Sequence, residues 1–225
     1  MGNKTSIHIT KHPSLWEGLG GLLLFLLLAV SCSESDDEAA DEFANWQERN
    51  DAYFATLEDS LFKAMSSSLA TQAFSWKKIK TYTKDETAQS KNTDYIYVKV
   101  LASGDQSTAS PLYSDSVRVA YRGRLIPSVT YPEGYVFDQT YTGDYHIETT
   151  GVANKLVSGY IDGFSTAIQH MHKGDYWRIY IPYPLGYGSS GTTGVPGYSV
   201  LIFDLALIDF ATAPDILTPW TSRQP

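Results

Sequence analysis

Between Phe43 and about Met65 the chain repeats its apolar positions every three or four residues. Phe43, Trp46, Tyr53, Leu57 and Leu61 share one phase with Asn50, and charges fill the gaps. That period predicts an amphipathic helix, uninterrupted by glycine or proline and opened by Asp41 as its cap. Residues 66–92 are polar and mixed, with one short helix or strand expected near Phe74–Tyr82. From Tyr95 the texture changes. Tyr95–Ala102 is rich in β-branched and aromatic residues, and Ser116–Ile126 alternates, with Val117, Val119 and Tyr121 opposed to Arg118, Ala120 and Arg122. Asp144–Thr150 reads as a third strand, Asp175–Pro182 and Ser199–Phe210 as the last two. Tyr160–Met171 is the one short helix of this half. Several antiparallel strands with a single helix make an α+β domain.

The first 31 residues have a different pattern. Lys4 and Lys11 precede the apolar run Leu22–Val30, which is short for a bilayer span but suits the core of a signal peptide. The run ends in LAVSC, which resembles the lipobox of bacterial lipoproteins. That resemblance implies cleavage before Cys32 and a lipid on its sulfur. A plain secretory signal or an uncleaved anchor are the alternatives. SESDDEAADE follows, too acidic to bury apolar surface, and reads as a solvated tether or a surface-export signal. The expected organisation is a signal peptide over 1–31, a tether over 32–42, a helical region and linker over 43–92, the α+β domain over 93–210 and a tail over 211–225.

Charge and composition narrow the chemistry. A formal net charge of −8 over 225 residues lacks the basic face a nucleic-acid partner needs. Cys32 is the one cysteine, so no intrachain disulfide can form. Sixteen tyrosines, nine phenylalanines and five tryptophans suit an aromatic pocket on a β-scaffold. The Gly-rich stretch PYPLGYGSSGTTGVPG, Pro182–Gly197, has no lysine after its glycines and leads into a strand. It therefore fits neither a P-loop nor a dinucleotide fingerprint. His170 and His172 lack a third ligand at metal spacing, and no Gly-x-Ser-x-Gly elbow marks a hydrolase. No cofactor is called for. Asp138 and Asp204 each follow a phenylalanine; they are either paired acids for glycoside chemistry or hydrogen-bond acceptors for their neighbours.

Six segments in order carry a resemblance: VAYRGRL, VFDQT, KLVSGYIDGF, MHKGDYWRIYIP, LGYGSSGTTGVPG and VLIFDLALI. Together, over about residues 93–210, they resemble the FKBP-type peptidyl-prolyl isomerases. The resemblance implies a curved antiparallel sheet of five to six strands wrapped around one short helix, here preceded by the N-terminal amphipathic helix. It implies an aromatic pocket. Tyr121 would be one wall, Phe137 and Asp138 the Phe-Asp pair at the edge, and Phe203 the phenylalanine of the last strand. Leu156 and Val157 would precede the pocket helix, the backbone of the first binding ligand. Tyr160 would stand where the family usually places a floor tryptophan, which implies weaker turnover than an indole floor supports. Tyr187 would bond a ligand carbonyl from the flap, with Val195 as the flap's aliphatic contact. Tyr145, His146 or Ile147 would supply the third-strand aromatic, and Pro127–Tyr135 is longer than the family's usual turn.

The implied partners are proline-containing polypeptides and a macrolide ligand, and the implied place is the outer membrane, on its periplasmic side or at the cell surface, through a lipid on Cys32. A non-catalytic peptide-binding chaperone, or a surface glycan-binding protein, are the competing readings.

Overall fold

In the computed structural model the described residues are 42–66 and 76–221. The expected signal peptide, Cys32 and the expected tether up to Asp41 fall outside them. Helix α1 spans Trp46–Ser66. Strand β1 is Trp76–Lys80 and β2 is Tyr95–Ala102. Then come β3 (Ser116–Arg124), β4 (Val136–Gln139) and β5 (Ala153–Leu156). Helix α2 is Asp162–Ile168, followed by β6 (Tyr176–Ile181) and β7 (Leu201–Ala211). Among the described residues, no helix is long and apolar enough to cross a membrane.

The strands form one antiparallel sheet of seven, in the order β1-β2-β6-β7-β3-β4, with β5 paired to β3. Seven replaces the five to six expected. Two differences account for this. The polar linker contains β1, whose Lys-rich sequence hides its pairing with β2 from Trp76↔Lys99 to Lys80↔Tyr95. The expected strand Asp144–Thr150 does not form; that segment is bends and turns. Its place is taken by the short strands β4 and β5, both laid on β3. Four-residue strands carry too few alternations to be seen by period.

Register assigns side chains to faces, because directly opposed residues share one. Tyr97↔Tyr180↔Ile202↔Arg124 and Arg178↔Asp204↔Arg122 lie on the outer face. Val98↔Ile179↔Phe203↔Gly123 and Trp177↔Leu205↔Tyr121 lie on the inner one. The inner face curls around α2. Every residue of α2 from Gly163 to Ile168 is buried. A helix of seven residues cannot stand alone; this one is held by packing and by its own hydroxyls. Ser165 Oγ donates to the Val157 carbonyl (2.8 Å) and Thr166 Oγ1 to that of Asp162 (2.8 Å).

Helix α1 packs on the outer face. Trp46, Asn50, Phe54 and Leu57 are buried, and Phe54 meets Tyr97 edge-on, the ring centroids 5.2 Å apart. Phe43 is 41% exposed and lies before the helix proper, edge-on to Trp46. Tyr53 and Leu61 are half-buried.

Candidate active site

A cavity of about 420 Å³ opens on the inner side of the sheet, beside the start of α2. Tyr121, Asp138, Tyr160, Tyr187 and Phe203 line it, all five anticipated from sequence. Phe164 and Ile161 line it as well. Phe164 is 2% exposed and sits at the meeting point of the rings. It is edge-on to Phe203 (5.1 Å) and Tyr121 (5.6 Å), and stacked under Tyr160 (4.6 Å, interplanar 22°). Phe164 therefore packs against the face of Tyr160, and both rings belong to the lining. The ammonium of Lys155 lies 5.1 Å from the centre of the Tyr160 ring. Phe164 carries a legible signal: it is the first aromatic inside the short helix, and a helix packed into a sheet points such a residue inward.

The other anticipated residues stand around the cavity. Phe137 is edge-on to Phe203 at 5.5 Å. Both rings close over Gly123, where a Cβ would come within 2.6 Å of Phe203 Cε1 and 2.8 Å of Phe137 Cζ. Only glycine lets the rings approach β3 so closely. Val157 is fully buried, its N–H donating to the Asp115 carbonyl (2.9 Å). Leu156 is 49% exposed, and Val195 is buried inside the flap; none of these three is among the lining residues. Neither are Tyr145, His146 and Ile147. Tyr145 instead stacks on Tyr176, whose side chain belongs to the outer face, at 4.8 Å.

Two hydroxyls in the cavity have opposite fates. Tyr121 donates to Asp138 Oδ2 at 2.8 Å. Burial, reinforced by that bond to an anion, pushes its pKa up. Tyr160 has a buried hydroxyl oxygen with no hydrogen-bond partner among the described residues. Burial, then the charge of Asp138, pushes it up to about 12. Tyr187 is also raised, first by burial. All three are neutral donors at physiological pH.

The Gly-rich stretch is the flap over this cavity. After β6 the chain makes a 3-10 turn at Tyr183–Leu185, places Tyr187 at the cavity, and returns. Gly191 takes φ 68°, where a Cβ would stand 2.3 Å from the Val195 carbonyl oxygen. The returning limb closes on the outgoing one through Thr192 and Val195, which exchange both backbone bonds at 2.9 Å.

The two histidines are anchored in turns. His170 Nδ1 lies 2.8 Å from the Thr166 carbonyl, and His172 Nδ1 2.6 Å from that of Thr108. Among the described residues no cluster of three or more His, Cys, Asp or Glu could hold a metal ion. Asp138 and Asp204 are not a pair. Asp138 lines the cavity, whereas Asp204 lies on the outer face between Arg124 and Arg178.

Residues 108–208 match the family model described as FKBP-type peptidyl-prolyl cis-trans isomerase. Over this stretch the chain is similar to that family. The FKBP-type peptidyl-prolyl cis-trans isomerase FkpA of Escherichia coli (strain K12) is 30% identical over 133 residues, covering 59% of this chain and 44% of that protein. The macrophage infectivity potentiator of Trypanosoma cruzi is 38% identical over 100 residues, covering 44% of this chain and 45% of that protein. The peptidyl-prolyl cis-trans isomerase Mip of Coxiella burnetii (strain RSA 493 / Nine Mile phase I) is 36% identical over 114 residues, covering 50% and 44%. The chain thus spans less than half the length of these relatives.

Proposed function

We propose that this protein is a peptidyl-prolyl cis-trans isomerase acting on exported polypeptides, held in the bacterial envelope by a lipid on Cys32. The observation that carries the reading is the cavity itself. Phe164, Phe203 and Tyr121 supply rings to its lining, and Tyr187 and Asp138 bring polar groups to its edge.

Rotating a peptide bond costs ~18–20 kcal/mol because amide resonance is broken. An X-Pro bond holds both isomers in measurable amounts and exchanges them in tens to hundreds of seconds. No covalent bond is made or cut, so a nucleophile or metal is not required. The planar amide is more dipolar than the twisted one. A pocket of rings favours the twisted form relative to the planar one, and that difference is catalysis. Each ~1.4 kcal/mol of it gives tenfold in rate. In this reading the prolyl ring sits on Phe164 between Tyr121 and Phe203, and Phe137 supports Phe203 from behind. Tyr187 donates to a flanking carbonyl. Asp138 fixes Tyr121. Leu156, Val157 and Val195 shape the approach rather than the lining. A macrolide that mimics a prolyl segment would occupy the same cavity.

A second reading has one observation in its favour. The unpartnered hydroxyl of Tyr160 adds polarity to a pocket that works by being apolar. Binding of proline segments without acceleration, as a chaperone would use it, follows if that polarity dominates. Relaxation of a short X-Pro peptide after a solvent jump decides between them. Acceleration that falls at least tenfold in Phe203→Ala and severalfold in Tyr187→Phe is the expected result. Peptide or macrolide binding without acceleration establishes the second reading and removes the first. The anchor is tested separately: metabolic labelling with a fatty acid should mark the wild-type protein and not Cys32→Ser.

A further inference from the structure

The flap's returning limb is gripped by helix α1, which lies outside residues 108–208. Ser199 and Val200 end this limb and are 3% and 2% exposed. The Trp46 indole N–H donates to Ser199 Oγ at 2.8 Å, and Ser199 Oγ–H donates onward to the Pro196 carbonyl at 2.6 Å. The Val200 N–H, just before β7 begins, donates to Asn50 Oδ1 at 2.8 Å. The Asn50 amide in turn donates to the Trp46 carbonyl at 2.7 Å. Asn50 is fully buried, and both ends of its carboxamide are used. A buried asparagine in a helix is unfavourable by propensity; here it meets a flap amide.

From this grip a short path leads to the cavity. Tyr198, next to Ser199, has φ 63°, a left-handed conformation uncommon for a bulky residue and kept only where its surroundings enforce it. In that conformation its N–H reaches the Gly188 carbonyl at 3.0 Å, and the Gly188 N–H reaches the Tyr183 carbonyl at 2.8 Å. The rings of Tyr198 and Tyr183 meet edge-on at 5.1 Å. Gly188 directly follows Tyr187. Displacing Ser199 and Val200 therefore moves the residue beside the one that faces the cavity.

We propose that Trp46 and Asn50 are positioning residues for the flap: they set where Tyr187 stands over the pocket, although neither lines it. The proposal rests on the isomerase reading for the role of Tyr187, but the coupling is a property of the fold.

The test uses the full chain, with Asn50→Ala and the milder Trp46→Phe, which keeps one aromatic ring while losing the indole N–H and the second ring. Two readouts are taken. In isomerisation of a Leu-Pro tetrapeptide, each variant should raise KM about five- to tenfold, as loss of a buried hydrogen bond would, with kcat within twofold. The rise should shrink to under twofold when the same variant is made in a Tyr187→Phe background, the non-additivity expected of coupled residues. In hydrogen exchange, the amides of Gly188, Thr192, Val195 and Tyr198 should exchange about tenfold faster in the variants, while the β3 and β7 ladder amides keep their protection. A KM effect that persists in full without the Tyr187 hydroxyl overturns the proposal. So does exchange that rises equally in β7 and the flap, which would make α1 a general stabiliser only. If the wild-type protein shows no isomerisation at all, the isomerase reading fails, and the exchange pattern alone decides whether α1 holds the flap.

Discussion

The two faces of this sheet solve opposite problems with adjacent residues. Phe203 and Asp204 are neighbours in β7. Phe203 points inward, where it touches Phe137, Phe164 and Tyr121. Asp204 points outward and is 6% exposed. It takes Arg124 Nη2 at 2.7 Å on one oxygen and Arg178 Nε at 2.6 Å on the other. The inner face gains from dispersion and the removal of apolar area from water. The outer face keeps three charges under α1 and a belt of tyrosines, and is stable only while they remain together. The difference shows how a sheet can present an apolar pocket without being apolar on both sides. Charge held on one face leaves the other free to be lined with rings.

Phe164→Ala should break the inner face hardest, costing about 3–5 kcal/mol as a large-to-small core change and abolishing turnover. Urea unfolding measures the first and the prolyl assay the second. A loss under about 1 kcal/mol would show that Phe164 is not part of a packed pocket. On the outer face, Asp204→Ala should cost about 3 kcal/mol because it leaves two guanidinium groups facing each other half-buried. Its loss should come with little change in peptide affinity at temperatures where the variant is folded. A variant that loses pocket affinity in proportion would mean the faces are not independent.

Alkaline pH tests both faces at once. Burial raises Tyr160 on the inner side, and Tyr53 and Tyr145 elsewhere, each to about 12. In the unfolded chain tyrosine ionises near ~10. Between these values the unfolded state binds fewer protons than the folded one, so stability falls as pH rises from about 10 to about 12. The contribution is fully present below that window. Tyr53→Phe with Tyr145→Phe should flatten the decline more than Tyr160→Phe alone; urea midpoints at a series of pH values would measure this. Equal slopes in all variants would remove these tyrosines as the cause.

The smallest effects compare two hydroxyls in one cavity. Tyr121→Phe should cost about 1 kcal/mol through the lost bond to Asp138. Tyr160→Phe should be neutral or slightly stabilising, since the hydroxyl it removes has no partner. It should also raise turnover modestly if polarity in that wall slows the reaction. A fall in both stability and turnover would show that the Tyr160 hydroxyl is bonded in solution.

The ordered motifs, through the family they resemble, pointed to Tyr121, Asp138, Tyr187 and Phe203 as pocket residues, and these four line one cavity. Tertiary structure alone decided that Phe164 would join the lining, because that depends on how a seven-residue helix is rotated against the sheet. It decided that the short element expected near Phe74–Tyr82 would be a strand paired to β2, and that Asp204 would sit between Arg124 and Arg178, 80 and 26 residues away. It decided too that Trp46 would hold Ser199 across 153 residues of chain. Contacts at such separations leave no period in the sequence. They are set by which strands pair and in what register, and only the folded sheet brings the partners together.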